Sequence, residues 1–209
     1  YGPTYDSRSS LPVMYYSSST AGMGLLRRAV QDDSTAHQSA LLSLLATETE
    51  NINTPEIKNG SIGTPLPGAM RTAYQYYANT LSGTSSPITN RTCQRNYVLL
   101  ATDGDPTIRI GGTAYSNAEL MNRQVNGNWV FGQAAQDVFT EIGRLRTLTV
   151  SGNAAINGQY DVQTYVVGLG EVATNQASIA AMNRMATVGG TGSAYMATDR
   201  ATLSAAFAQ

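Results

Sequence analysis

"RNYVLLATDGDP", residues 95–106, decides how this chain is read. Its core, "NYVLLA", is a near-continuous apolar run, as in a central parallel strand buried on both faces. The run ends abruptly in two carboxylates, Asp103 and Asp105, split by Gly104. In open α/β sheets ligands bind beyond the carboxyl ends of the strands. Asp103 stands at that end, where a carboxylate is a hard oxygen ligand for Mg2+ or Ca2+. Asp and Gly also suit an ordinary tight turn, for local backbone reasons.

Working outward from this strand, the elements alternate. Before it, Thr64-Pro65 reads as a helix start running to about residue 81: Thr can cap open backbone N–H groups, and Pro is tolerated in the first turn. Earlier still, Ser34 looks like an N-cap for an amphipathic helix to about residue 47, carrying Leu41, Leu42, Leu44 and Leu45. Residues 11–30 could form a strand pair with the Ser/Gly stretch as its turn. After residue 106 comes an excursion with a short hairpin or helix over 107–131, then a helix from 133 to 146 and a polar Gly/Asn loop over 151–160. "DVQTYVVGLG" is a second buried strand, "NQASIAAMNRMATV" a helix, and "SAYMA" a short strand. Asp199 or Thr198 caps a last helix to Phe207. From residue 64 onward, helices and strands alternate. That order predicts an α/β fold: a doubly wound, mostly parallel sheet with helices on both faces.

The bulk numbers narrow the function. The 209 residues, 42% hydrophobic, suit one well-packed domain. A net charge of −1 gives no basic field for nucleic acid or an acidic membrane surface. No apolar run approaches the roughly 20 residues needed to span a bilayer. Charged residues are only 13%, and Lys58 is the sole lysine; Ser, Thr, Ala, Gly and Asn fill the gap. This fits a secreted or surface protein, and equally a compositional bias of the lineage. Cys93 is the single cysteine, so no disulfide can form within these residues. Asn59-Gly60-Ser61 and Asn90-Arg91-Thr92 are glycosylation triplets, which matter only in a glycosylating secretory pathway.

Two enzymatic readings compete. Asp103-Gly104-Asp105-Pro106-Thr107 fits the D-x-D-x-T pattern of haloacid-dehalogenase-type phosphatases, which are Mg2+-dependent, with a nucleophilic first Asp and a general-acid second. That chemistry needs a downstream acidic pair, yet Glu119, Asp137, Glu141, Asp161, Glu171 and Asp199 are never paired. Gly168-Leu169-Gly170-Glu171-Val172-Ala173 fits a dinucleotide-binding G-x-G-x-x-A. It lies in the last fifth of the chain, however, and "ATNQ" reads as loop between the glycines and the helix. The lone His37 has no histidine or cysteine partner for zinc and reads as a surface or packing residue.

Three stretches together resemble a von Willebrand factor A domain: "GTPLPGAMRTAYQYY", "NYVLLATDGDP", and the strand-helix-strand-helix from "VQTYVVGLG" to the end, covering residues 63–209 in the right order. Finer stretches, "GLLRRAVQDDSTAHQSALLSLLATE", "IKNGSIGTPLPGAM" and "CQRNYVLLATDGDP", are similar to the A domain of PilC/PilY-type proteins, which are adhesins and assembly factors at the tip of bacterial type IV pili. The resemblance implies a non-enzymatic, extracellular domain at a pilus tip or outer cell surface. Its partners would be minor pilins or other tip subunits, and a host or abiotic surface ligand. It also implies a metal ion-dependent adhesion site for Mg2+, or Mn2+ or Ca2+, with Thr64 and Asp103 as ligands. Asp105 would orient a bound water or receive a hydrogen bond from the loop. The family's Asp-x-Ser-x-Ser loop has no match: "DSRSS" carries Arg8 at its third place, and "DDSTA" carries Ala36 at its last. The expectation is one domain over residues 1–209, lacking its first strand and the loop that follows it.

Overall fold

The computed structural model describes residues 4–5, 12–13, 22–24, 26–47, 49, 54, 56, 63–89 and 93–207. In chain order the elements are β1 (Thr4–Tyr5), β2 (Pro12–Val13), α1 (Thr35–Leu44), α2 (Leu66–Tyr77), β3 (Asn96–Thr102), α3 (Asn117–Leu120), β4 (Arg123–Val125), β5 (Asn128–Val130), α4 (Gln133–Arg146), β6 (Leu148–Val150), β7 (Gly158–Tyr160), β8 (Val162–Leu169), α5 (Gln176–Val188), β9 (Tyr195–Ala197) and α6 (Arg200–Phe207). The three parallel strands lie in the order β3-β8-β9, with Asn96 opposite Val162 and Thr102 opposite Gly168. The fold is α/β, a parallel sheet flanked by helices, compatible with the expected doubly wound arrangement.

Registered neighbours in a parallel pair share a face, so Leu100 and Val166 point the same way. That face meets the helices. Val138, Ile142 and Leu145 recur at helical spacing along α4 and are fully buried. Met70 from α2, and Met182 and Met185 from α5, complete the same core. The other face of β3 is different. Tyr97 is 43% and Leu99 52% exposed, and Ala101 is exposed too. The expectation of a central strand buried on both faces is therefore corrected. Among the described residues β3 is an edge strand, paired only with β8, and its helical cover lies on one side. A run of apolar residues does not report which neighbours the topology supplies.

α4 and α5 span the residues predicted for them. The 107–131 excursion holds both α3 and the β4-β5 hairpin, whose Asn126-Gly127 turn has φ of 51° and 79°, as a tight hairpin turn requires. Ser34 caps α1 as expected, accepting from the His37 N–H at 3.1 Å. His37 is half-exposed and accepts from Arg28 Nε at 3.4 Å. No residue of α1 is buried, however, and Leu42 is 68% exposed. Leu41 and Leu45 are exposed as well, and Leu44 is half-buried. Of the strand pair predicted over 11–30, Pro12 and Val13 form a strand, but they pair with Tyr5 and Thr4, which lie before that stretch, and its other described residues, 22–24 and 26–30, form no strand; the remaining half of the stretch, both glycosylation triplets and Lys58 lie outside the described residues. Among the described residues, no helix is long and apolar enough to cross a membrane.

One core position carries a polar cost. The Thr164 hydroxyl in β8 is fully buried with no partner among the described residues. Its backbone is fully used, its N–H donating to Gly189 O at 3.0 Å and its carbonyl accepting from Thr191 Oγ1 at 2.7 Å. Thr164→Val keeps the β-branched shape and removes the orphan hydroxyl. The variant is expected to be about 1 kcal/mol more stable to urea. A loss of stability would mean that the hydroxyl has a partner.

Candidate functional site

The loop after β3 is built by short bonds. Thr102 Oγ1 donates to Gly104 O at 2.7 Å and accepts from Gly104 N at 3.2 Å, folding residues 102–104 into a turn. Pro106 is buried. The chain then meets the 63–65 segment: Thr64 N–H donates to Thr107 Oγ1 at 2.6 Å, and Thr107 N–H donates to Thr64 O at 2.9 Å. Two segments distant in sequence are thereby stitched together at the carboxyl end of β3.

These contacts correct the role predicted for Thr64 as a helix cap. α2 begins at Leu66 with Pro65 at the N-cap position and no side-chain cap. A residue before proline is biased away from helical conformation, and the Thr64 backbone is committed to Thr107 instead. The same helix ends at Tyr77 rather than near residue 81, because Asn79 takes a left-handed φ of 62°. The Thr64 hydroxyl, freed from capping, faces the Asp103-Gly104 turn. A Cβ built on Gly104 would lie 2.9 Å from Thr64 Oγ1, so a glycine there permits the close approach.

Asp103 is exposed, and its carboxylate makes no hydrogen bond or ion pair among the described residues. Asp105 behaves differently. Its Oδ2 accepts from Ser178 Oγ at 2.7 Å, so its partner comes from the first turn of α5 and not from the loop. Nothing in the sequence marks Ser178, because the contact joins elements 73 positions apart. Thr64 and Asp103 are thus brought to one surface as two uncommitted oxygen-bearing side chains, with Asp105 tied off beside them.

The acids further along have other partners. Glu141 is 3% exposed and is held by Arg71 Nε and Nη2 at 2.5 and 2.7 Å, with Arg144 Nε at 3.5 Å. Its position on the buried stripe of α4 was the available signal: an acid at a core position needs a cation. Asp137 accepts from Tyr115 Oη at 2.5 Å and from Gln133 Nε2 at 2.6 Å. Burial, then the Asp137 bond, pushes the Tyr115 hydroxyl pKa well above its ordinary value. Asp161 pairs with Arg146, and Asp199 caps α6 through the Thr202 N–H at 2.8 Å. Among the described residues no three His, Cys, Asp or Glu side chains gather as a metal cluster.

Glu119 closes a capping box on Ser116 and pairs with Arg109 at 2.8 Å. The hydroxyl and backbone N–H of Ser116, then Arg109, hold its carboxyl down to about 2. A depressed carboxylate pKa stabilises the fold above the ordinary value of 4.5, and this contribution is lost as pH falls toward 2. The carboxyl carbon resonance of Glu119 should therefore titrate near 2; a midpoint near 4.5 would mean that the box is open in solution.

The two glycines of the dinucleotide-like stretch serve different ends: Gly168 serves packing, whereas Gly170 has open space around it and takes a left-handed φ of 61°. A Cβ on Gly168 would lie 2.6 Å from Met182 Sδ. A 3-10 turn over Gly170–Ala173 stands between Gly168 and α5, whose first N–H groups are capped by the Asn175 side chain at 2.9 and 3.2 Å. That helix start is not built as a phosphate cradle.

Comparison of the chain with protein-family models, with curated proteins and with solved structures gives no match.

Proposed function

We propose that the chain is an extracellular, non-enzymatic von Willebrand A-like domain of a type IV pilus tip protein, which binds a surface ligand through a divalent cation. The observation that carries the reading is the meeting of the Thr64 hydroxyl with the Asp103-Gly104 turn at the carboxyl end of β3. Both side chains offer hard oxygens, and neither is spent on capping or on an ion pair, so the donor chemistry fits Mg2+, with Mn2+ or Ca2+ as substitutes. Thr64 would supply a neutral oxygen and Asp103 a charged one. Water and further oxygens would complete the shell and leave one position for an acidic group on a host or abiotic surface ligand. The cation supplies the positive charge that such a group would bind. Minor pilins or other tip subunits would be its assembly partners.

Calorimetric titration with Mg2+, Mn2+ and Ca2+ tests the reading. Heat from at least one of them, abolished in Asp103→Asn, is the expected outcome. No heat at any concentration would leave a metal-free structural module of the tip instead. Phosphate release from p-nitrophenyl phosphate, lost in Asp103→Asn, would favour the Mg2+-dependent phosphatase reading of Asp103 and Asp105.

A further inference from the structure

We infer that Ser178, in the first turn of α5, is a positioning residue that holds the Asp103-Gly104 turn in place through Asp105. The inference rests on reading Thr64 and Asp103 as the cation site.

The loop is pinned at three places. Thr102 closes the turn on itself, and Thr107 binds the Thr64 backbone in both directions. The third pin, Ser178 Oγ to Asp105 Oδ2 at 2.7 Å, is the one that reaches a core helix. Ser178 is 2% exposed, and its N–H is already fixed by the Asn175 cap at 3.2 Å. One turn further along, Ala181 and Met182 are fully buried in the core. The hydroxyl thus sits on a rigid support, while Asp105 is an exposed loop residue. A carboxylate oxygen accepting this bond fixes the residue two places after Asp103, and with it the direction in which Asp103 leaves the strand. Supporting groups of this kind orient the ligands that a cation touches. Asp105 then acts as an anchor and needs only an acceptor oxygen, which asparagine also provides.

A double-mutant cycle on the whole protein tests this with Ser178→Ala, Asp105→Ala and their combination, alongside the conservative Ser178→Thr and Asp105→Asn. Two readouts are taken: amide hydrogen exchange at Gly104, Asp105 and Thr107, and Mn2+ affinity. Each alanine variant should speed exchange at these amides about tenfold and weaken Mn2+ about tenfold. The double variant should do no more than either single, since both remove one bond. Ser178→Thr and Asp105→Asn should restore both readouts, and thermal midpoints should stay close to wild type throughout. Unchanged exchange in Ser178→Ala overturns the inference. So does an Asp105→Asn variant that loses Mn2+ as completely as Asp103→Asn, because Asp105 would then be a ligand itself. If the wild-type protein binds no Mn2+, the cation reading fails, and the exchange data alone decide whether Ser178 sets the turn.

Discussion

Gly68→Ala is expected to lower stability by about 3 kcal/mol. Gly68 is buried in the first turn of α2, and a Cβ there would lie 1.6 Å from the carbonyl oxygen of Gly22 and 2.8 Å from the Cα of Met23. These are backbone atoms, so no rotamer change relieves the clash. The crossing segment is also held elsewhere. Thr72 Oγ1 donates to Gly24 O at 3.0 Å, and a Cβ on Gly24 would come within 2.9 Å of Ala69 Cα. Either residues 22–24 lift off α2 or the helix shifts against its core. Alanine's better helix propensity returns at most about 1 kcal/mol, which offsets only part of the loss. Urea denaturation measures the effect. A variant as stable as wild type would mean that residues 22–24 do not cross α2 in solution.

Arg71→Ala should be about as damaging, at roughly 3 kcal/mol, because it strands a buried carboxylate. The Glu141 side chain is 4% exposed while Arg71 is 27% exposed, so the acid bears the desolvation. The doubled hydrogen bond between them clamps α2 to α4, and it raises the Arg71 pKa above the ordinary guanidinium value. Arg144 stays near Glu141 at 3.5 Å but is 46% exposed and cannot replace a two-pronged contact. Arg71→Met with Glu141→Leu removes both charges and should recover most of the stability. If the double variant is no better than the single one, the loss comes from packing and not from an uncompensated charge.

How much of this was legible in the sequence depends on the range of the contact involved. α4 and α5 were readable because helical spacing of apolar residues is a local pattern, and so was the Ser34 cap. The strand β8 was readable from its apolar run. The same kind of run misled at β3, where burial on two faces depends on neighbours that the strand order among the described residues does not provide. Local signals predict a helix cap at Thr64, yet a hydrogen bond to Thr107 holds it before the Pro65 cap position and outside the helix. Locating Thr64 and Asp103 at one surface came from a family resemblance, and periodicity alone would not have joined them. Ser178 and Arg71 carried no local signal at all: each matters through one partner, Asp105 and Glu141, that lies 73 and 70 positions away.

Thr64 and the Asp103-Gly104 turn are proposed to form one cation-binding surface. Paramagnetic broadening by substoichiometric Mn2+ tests it most directly, because the ion bleaches the amide signals nearest to it. Thr64, Asp103 and Gly104 should fade first, and Asp103→Asn should abolish the effect. Broadening centred on other exposed acids, such as Asp32 and Asp33, or none at all, would contradict it.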